Sequence, residues 1–270
     1  MREVEDATCV PGWIVRCGGC GMWFKRVTGL DSPALAYGDE FAGAVESSAY
    51  MDGAAARGFF RRALQGIEPE TGTVRPRLLD IGSGTGTLLE EAAGLGYRAE
   101  GIELSERLAE RAREKGLQVR CLAGEELDAT EEYDVVTMMD LIEHVTDPLE
   151  LLRRAFRSLK PGGELVVYTP NHGAAVVLLA RLLARARLDL AIREIFGRNH
   201  VCFFDAQTLV SALNRAEFEL RRMWRFPYDP RRPGGEISLA SLALVSAVEW
   251  MGRPFGRVFR MVAFARRPLA

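Results

Sequence analysis

Three ionisable residues stand close together near the middle of the chain. Asp140, Glu143 and His144 occupy relative positions i, i+3 and i+4, directly after an apolar run at 133–139 that predicts a strand. A helical turn would place all three side chains on one face. His144, which titrates near neutrality, could then take a proton from a nucleophile, or the three groups could hold a divalent cation. In a third interpretation they are structural: His144 caps a helix and Glu143 pairs with a neighbour.

The histidines share a kind of position along the chain. His144, His172 and His200 are its only three histidines. Two of them follow predicted strands, at 133–139 and 164–169, and His200 lies where the chain returns from a predicted lid. Ligands of open α/β sheets bind outside the carboxyl ends of the strands. This distribution favours a role for the histidines at that edge of a sheet.

A glycine-rich turn is the second feature that can do chemistry. Gly82, Gly84 and Gly86 follow a short apolar run that ends at Ile81. Each glycine loses more backbone entropy on folding than any other residue, so three together indicate a sharp turn that a ligand approaches closely. The next segment, 87–93, predicts a helix whose free N–H groups point back at the turn and suit polar or anionic groups.

Glu103 ends the second predicted strand, at 99–102, about 20 residues beyond the turn, where an acid binds ribose hydroxyls in nucleotide-binding βαβ units. The dinucleotide motif G-x-G-x-x-G would need a third glycine where Thr87 stands. The stretch D-I-G-S-G-T-G at 80–86 instead resembles motif I of the class I S-adenosylmethionine-dependent methyltransferases, and Glu103 resembles their ribose-binding acid.

The resemblance implies a set of cofactor contacts. Residues around the turn would hold the methionyl and ribose parts, and later loops would close on adenine and sulfonium. Glu125 would lie against the adenine, at a place where Asp is commoner in the family. The implied S-adenosylmethionine-binding residues are Asp80, Gly82, Ser83, Gly84, Gly86, Glu103, Leu104, Glu125 and Asp140.

Two further stretches resemble one subgroup of this family. The sequence E-H-V-T-D-P at 143–148 is similar to the segment that starts a helix in the subgroup including ubiquinone-biosynthesis O-methyltransferases, and K-P-G-G-E-L-V-V at 160–167 matches the same enzymes. This subgroup implies methyl transfer to a small-molecule acceptor, most often at a hydroxyl oxygen, with His144 as the catalytic residue. A cation held by Asp140, Glu143 and His144 would orient a catechol-like acceptor. The resemblance covers about residues 75–225.

The predicted strands and helices that must position these groups indicate an α/β fold. We expect a Rossmann-like, doubly wound sheet of seven mostly parallel strands, with an N-terminal appendage and a helical lid. A helix at 149–159 should end in a sharp turn at 160–163. The predicted divisions are an N-terminal segment at 1–40, covering helices and a linker at 41–76, and a methyltransferase domain at 77–270. That domain includes a lid insertion at about 173–200 and a C-terminal helix at about 236–252.

Composition limits the partners and the compartment. Lys plus Arg number 35 against 37 Asp plus Glu, a formal net charge of -2, so no positive field favours nucleic acid. The N-terminus has no apolar signal region, which predicts a cytoplasmic protein. The longest apolar stretches, 174–184 and 237–251, fall short of the ~20 residues of a membrane-spanning helix. The arginine-bearing lid leaves peripheral membrane contact open as an alternative.

Cysteine spacing suggests a remnant of a metal site. Cys17 and Cys20, in C-G-G-C-G, look like one knuckle of a zinc ribbon. A structural zinc needs four ligands, and only Cys9 lies nearby, so the favoured interpretation is a degenerate knuckle that turns a hairpin.

Two functions of other classes remain as alternatives at this stage. A nicotinamide-dependent oxidoreductase would share the βαβ start, although Thr87 argues against it. A catalytically silent protein could bind S-adenosylmethionine or a partner through the same features.

Overall fold

The computed structural model describes residues 3–4, 14–25, 53–185, 200–227 and 239–269 of the 270-residue chain. Predictions that involve Cys9, and the part of the lid segment at 186–199, lie outside the described residues. Within the described residues the strands form two sheets, and helices cover both faces of the larger sheet.

The strands alternate with helices for most of the chain. The strands are β1 (Glu3–Val4), β2 (Ile14–Cys17), β3 (Trp23–Lys25), β4 (Arg77–Ile81), β5 (Arg98–Glu103), β6 (Val119–Cys121), β7 (Tyr133–Met139), β8 (Leu159–Pro170), β9 (Cys202–Phe203), β10 (Glu219–Phe226) and β11 (Arg260–Arg266). The helices are α1 (Ala54–Gln65), α2 (Thr87–Gly94), α3 (Glu106–Glu114), α4 (Pro148–Ser158), α5 (Ala175–Arg185), α6 (Ala206–Arg215) and α7 (Leu239–Gly252).

The larger sheet has seven strands in the order β10, β11, β8, β7, β4, β5, β6. Pairing is parallel throughout except at β11, which runs antiparallel to both of its neighbours. The chain leaves β4 toward β5 on one side and returns to β7 on the other. In open α/β sheets ligands bind at such a reversal of strand order, outside the carboxyl ends. The predicted doubly wound fold is confirmed, and the glycine turn begins at this reversal.

Two hydrophobic cores form on the two faces of this sheet. On one face Leu165 and Val167 of β8 pack with α4 and α6, and on the other Val166 and Tyr168 pack with α1, α2 and α3. This alternation follows from the side-chain period of two along a strand. The ring of Phe59 on α1 lies with its centroid 4.7 Å from that of Tyr168. Helix α1, predicted to pack on the sheet, therefore covers it next to α2.

Three of the helices, α3, α4 and α6, start at capping residues that the sequence supplies. Ser105 accepts a hydrogen bond from the N–H of Leu108 at the start of α3, and Asp205 accepts from the N–H of Thr208 at the start of α6. Asp147 does the same for Glu150 and is followed by proline in the first turn of α4. These side chains satisfy N–H groups that have no partner within the helix.

A smaller antiparallel sheet joins the N-terminus to a distant segment. Its order is β1, β2, β3, β9. Ile14 of β2 and Phe203 of β9 share a third hydrophobic core with Val177 of α5 and Val248 of α7. We call this unit the cap; it comprises β1, β2, β3, β9, α5 and α7. The N-terminal segment is thus packed against the lid helix.

One predicted boundary is wrong. The sharp turn expected at 160–163 is part of β8, where Gly162 has a φ of +78° and the pairing with β7 shifts register. The helix predicted at 149–159 is confirmed as α4, Pro148–Ser158. None of the helices in the described ranges is long and apolar enough to cross a membrane.

Candidate functional site

The glycine turn needs glycine for two separate reasons. Gly82, Gly84 and Gly86 have φ values of +77°, +53° and +83°, a region that costs other residues about 1–2 kcal/mol. A Cβ at Gly86 would also lie 2.2 Å from Cδ1 of Leu117, whereas a Cβ at Gly84 would face open space. A Cβ at Gly82 would lie 3.0 Å from Cδ1 of Leu141. The turn is therefore open at Gly84, where a ligand can approach the backbone.

Glu103 faces this opening from the neighbouring strand. One carboxylate oxygen accepts a hydrogen bond from the N–H of Gly84 at 2.8 Å, and the other accepts from the N–H of Ser105 at 2.9 Å. The side chain is almost buried, and burial raises the pKa of the carboxyl. A carboxylate has about four acceptor positions, so both oxygens can still receive ribose hydroxyls.

Asp80 lies beneath the turn, within β4. Its carboxyl is fully enclosed and accepts a hydrogen bond from the hydroxyl of Thr137 at 2.6 Å. Burial raises its pKa to about 7, and the charge of Glu103 adds to the increase. Asp80 thus joins β4 to β7 under the glycine turn, a partner that the sequence did not indicate.

The remaining predicted cofactor residues lie around the same edge. The hydroxyl of Ser83 is buried against Gly101 of β5 and has no hydrogen-bond partner among the described residues. Leu104 is exposed to 40% directly after Glu103. Glu125 lies in a 3-10 turn, Gly124–Glu126, whose first residue packs against Ile81 at the end of β4. This turn therefore reaches the region above the glycine turn.

The predicted arrangement of Asp140, Glu143 and His144 on one helical face is wrong. Asp140 has a φ of +51°, and the three residues lie in an irregular turn ahead of α4. The capping of α4 by Asp147 and the proline that follows fix the start of the helix farther along the chain. Asp140 consequently pairs with Arg260, with a distance of 3.4 Å between Oδ1 and Nη1.

A different group is brought together instead. One ligand atom from each of Glu143, His144 and His200 lies within 4.8 Å of the others. The ring centroids of His144 and His200 are 4.8 Å apart, and those of His172 and His200 are 6.4 Å apart. All three histidines of the chain therefore meet at one place. The sequence indicated their shared edge, but not that His200 rather than Asp140 joins Glu143 and His144.

The cluster is adjacent to the glycine turn. Leu141, whose side chain lies against Gly82, accepts through its carbonyl a hydrogen bond from the N–H of His144 at 2.9 Å. Glu143 is buried, and one of its oxygens accepts from the hydroxyl of Thr169 at 2.8 Å. Leu141, which follows β7, and Thr169 of β8 thus place the cluster next to the residue that packs against Gly82, the first glycine of the turn.

Burial controls the charge of the cluster. The pKa of Glu143 rises to about 8, mainly because its carboxylate is removed from water and secondarily because of the charge of Asp140. The pKa of His200 falls well below its ordinary value, because burial disfavours the imidazolium and the two other histidines lie nearby. A neutral imidazole at His200 can bind a metal ion.

The residues of the cluster fit a divalent cation chemically. Oε1 of Glu143 and Nδ1 of His200 are both buried without a hydrogen-bond partner among the described residues. Imidazole nitrogen and carboxylate oxygen are ordinary ligands of zinc, iron and manganese. A bound cation would satisfy both atoms and would favour the ionised form of Glu143.

The thiols of the N-terminal hairpin form no comparable group. Cys17 and Cys20 lie at the turn between β2 and β3, and neither is part of a disulfide. Within the part of the chain that the structure describes, neither belongs to a set of three metal-ligating side chains. The prediction of zinc that includes Cys9 lies outside the described residues.

Comparisons with known proteins agree with this geometry. The methyltransferase domain family matches residues 50–222. Ubiquinone biosynthesis O-methyltransferase of Xanthomonas oryzae pv. oryzae is 35% identical over 171 residues, which are 60% of this chain and 70% of the relative. The protein of the same name from Thiobacillus denitrificans is 32% identical over 162 residues, 57% of this chain and 69% of the relative.

Solved structures show the same fold. An S-adenosylmethionine-dependent methyltransferase of Thermotoga maritima, described as a possible histamine N-methyltransferase, superposes with a TM-score of 0.59 at 24% identity, over 84% of this chain and 97% of that one. Phosphoethanolamine N-methyltransferase 2 of Haemonchus contortus, in complex with S-adenosylmethionine, gives 0.57 at 15% identity, over 92% of this chain and 62% of that one.

These matches bear on the functions left open by the sequence. The family and the relatives are methyltransferases, not nicotinamide-dependent oxidoreductases, and S-adenosylmethionine is the cofactor they indicate. The chain belongs to the S-adenosylmethionine-dependent methyltransferases.

Proposed function

We propose that this methyltransferase transfers the methyl group to a hydroxyl oxygen of a small-molecule acceptor. The observation that carries the proposal is the cluster of Glu143, His144 and His200, which lies next to Leu141, the residue that packs against Gly82 of the glycine turn. An oxygen nucleophile must lose a proton, and this cluster offers groups that can take it. The relatives at 32% and 35% identity are named O-methyltransferases.

On the cofactor side, we assign the ribose hydroxyls of S-adenosylmethionine to Glu103. The glycine turn at 82–86 would receive the methionyl part, and Leu104 and Glu125 would flank the adenine. Asp80 and Ser83 would support the turn from below, and Asp140 would close the sulfonium side. The contacts of Glu103 with the N–H groups of Gly84 and Ser105 support this assignment, because they orient its carboxylate toward the turn.

The transfer itself is an in-line displacement. The acceptor oxygen forms a bond to the methyl carbon while the bond from carbon to sulfur breaks, and the electron pair of that bond stays on sulfur. The hydroxyl proton passes to His144, which is half-exposed and so can reach an acceptor. The protein has to align the two reactants at near-attack distance and exclude water. The alignment alone can lower the activation barrier by about 7–11 kcal/mol.

A divalent cation is a second candidate for activating the acceptor at the same place. Glu143, His144 and His200 would hold it, and it would lower the pKa of a bound hydroxyl. The buried Oε1 of Glu143 and Nδ1 of His200, which have no partner among the described residues, favour this alternative. Residues of the cluster would then bind the cation and orient a vicinal diol or catechol-like acceptor.

The test is a methyl-transfer assay with small phenols and catechols. Methyl transfer from S-adenosylmethionine to oxygen is the expected activity. If a chelator abolishes this activity and one divalent ion restores it, the result supports activation of the acceptor by a bound cation. Transfer that chelation does not change supports His144 as the base. Transfer to amines but to no hydroxyl compound would contradict the proposal.

We further infer that the protein acts in the cytoplasm and binds no nucleic acid. No disulfide joins the cysteines within the described ranges, as is typical of a reducing compartment. The formal net charge of -2 provides no general attraction for phosphate backbones. Fractionation of the native host, followed by immunoblotting, tests the location.

A further inference from the structure

We propose that the N-terminal hairpin, formed by β2, β3 and the turn between them, is a positioning element for His200. Its effect on catalysis rests on the proposed function, because His200 belongs to the cluster at the acceptor side. The hairpin lies at 14–25, outside the residues 50–222 that the family match covers. The positioning role is therefore assigned to a part of the chain beyond the family domain.

The backbone after His200 is held from two sides. On one side the N–H groups of Val201 and Cys202 both donate to the carbonyl of Glu143, at 2.7 and 2.9 Å. On the other side the N–H of Lys25, the last residue of β3, donates to the carbonyl of Val201 at 2.7 Å. Val201 thus connects the hairpin directly to the backbone of a cluster residue.

Strand pairing extends this connection. β3 pairs antiparallel with β9, with Trp23 opposite Phe203 and Phe24 opposite Cys202. Because β9 is only two residues long, its register depends on this pairing and on the bonds to Glu143. A displacement of β3 would move the residues immediately after His200.

Side chains extend the connection to His172 and to the lid helix. The ring of Phe203, on β9, lies 4.9 Å, centroid to centroid, from the ring of His172. Trp23 of the hairpin lies under the guanidinium of Arg181 on α5, with a distance of 4.4 Å to the ring centroid, and under that of Arg16 at 5.9 Å. The hairpin therefore contacts the helix predicted to cover the acceptor, and the strand paired with it contacts His172.

Among the described residues, other elements hold the cofactor side. The glycine turn, Glu103 and the 3-10 turn at Gly124–Glu126 are held by β4, β5 and α4. A positioning element for His200 should change turnover without changing the affinity for S-adenosylhomocysteine. An element that only supports the fold should change the unfolding midpoint and both functional readouts together.

The test compares Lys25→Pro with Lys25→Ala. Proline removes the N–H that bonds Val201, and alanine keeps it. We expect Lys25→Pro to lower kcat toward the acceptor by up to about 10²-fold, the scale of a 1 Å misplacement, and to leave the dissociation constant of S-adenosylhomocysteine unchanged. Lys25→Ala should match the wild type in both. Equal kcat in the two variants, or a parallel loss of cofactor affinity in Lys25→Pro, would overturn the proposal.

A physical readout separates this proposal from the proposed function. Hydrogen exchange of the amides at 201–203 should accelerate in Lys25→Pro and not in Lys25→Ala, whichever acceptor the enzyme uses. Unchanged exchange there would overturn the proposal even if O-methylation is confirmed. Trp23→Ala, which keeps every backbone bond, is a second variant with the same expected direction and a smaller effect.

Discussion

The two sides of the site are built in different ways. The cofactor side, from Asp80 to Glu103, comes from one continuous βαβ unit, in which the N–H of Gly84 bonds the carboxylate of Glu103. The acceptor side combines Glu143, His172 and His200 with a hairpin from the N-terminus. The cofactor side can be recognised from residue spacing along the chain because it is one local unit, whereas the acceptor side depends on long-range packing. Separate construction implies that binding and turnover can be altered separately.

The largest expected effect is on the acceptor side. His144→Ala should lower kcat by about 10²–10⁴-fold, the usual contribution of an acid or base group. Affinity for S-adenosylhomocysteine, measured by calorimetry, should stay at the wild-type value, because no predicted cofactor contact involves this imidazole. Comparable loss of both quantities would show that the two sides are not separate.

The matching change on the cofactor side is Glu103→Gln. It removes the charge but keeps the size, and hydrogen bonds to a charged group contribute about 1.5–3 kcal/mol. Affinity for S-adenosylhomocysteine should therefore fall roughly 10- to 100-fold, while kcat at saturating cofactor changes far less. The control is Glu125→Gln. Because Glu125 is partly exposed, this change should lower the affinity for S-adenosylhomocysteine less.

The local geometry that the sequence could predict follows this division. The turn at Gly82, Gly84 and Gly86 and the position of Glu103 were predictable because positive φ and a strand-end acid are set by neighbours within one supersecondary unit. Prediction of one helical face for Asp140, Glu143 and His144 failed because capping by Asp147 delays the helix. Helical periodicity alone does not indicate at which residue the helix starts.

Other partners in the site were not accessible from the sequence. Thr137 bonds Asp80, Thr169 bonds Glu143, and Arg260 pairs with Asp140. Each of these pairs joins different strands, or a strand and a loop, across the sheet. Their identity depends on strand order and register, which the spacing of residues along the chain does not fix.

Gly84 and Gly86 offer a comparison within the glycine turn. Both have positive φ, but only at Gly86 would a Cβ meet a side chain, that of Leu117. Gly86→Ala should lower the free energy of unfolding by about 2–5 kcal/mol, combining backbone strain with overpacking. Gly84→Ala should cost only about 1–2 kcal/mol of stability and mainly weaken cofactor binding. Urea unfolding measures the first quantity, and a result with the order reversed would contradict the geometry.

The last comparison concerns the pH dependence of stability that Asp80 causes. Its pKa is about 7 in the folded protein against 3.8 for a free side chain, so the folded state binds more protons between these values. This carboxyl therefore makes the protein less stable as pH rises from about 4 to about 7. The variant Asp80→Asn can still accept a hydrogen bond from Thr137 but does not titrate. The difference in the free energy of unfolding between this variant and the wild type should therefore favour the variant more at pH 8 than at pH 4. Urea titrations that give the same difference at both pH values would contradict the raised pKa.

The most direct test of the central claim is a crystal structure with S-adenosylhomocysteine bound. The account predicts that both ribose hydroxyls donate to the carboxylate of Glu103, that the amino-acid part lies along the turn at 82–86, and that the sulfur faces the side where His144 and His200 meet. A cofactor bound elsewhere, or a Glu103 side chain turned away from the ribose, would contradict it.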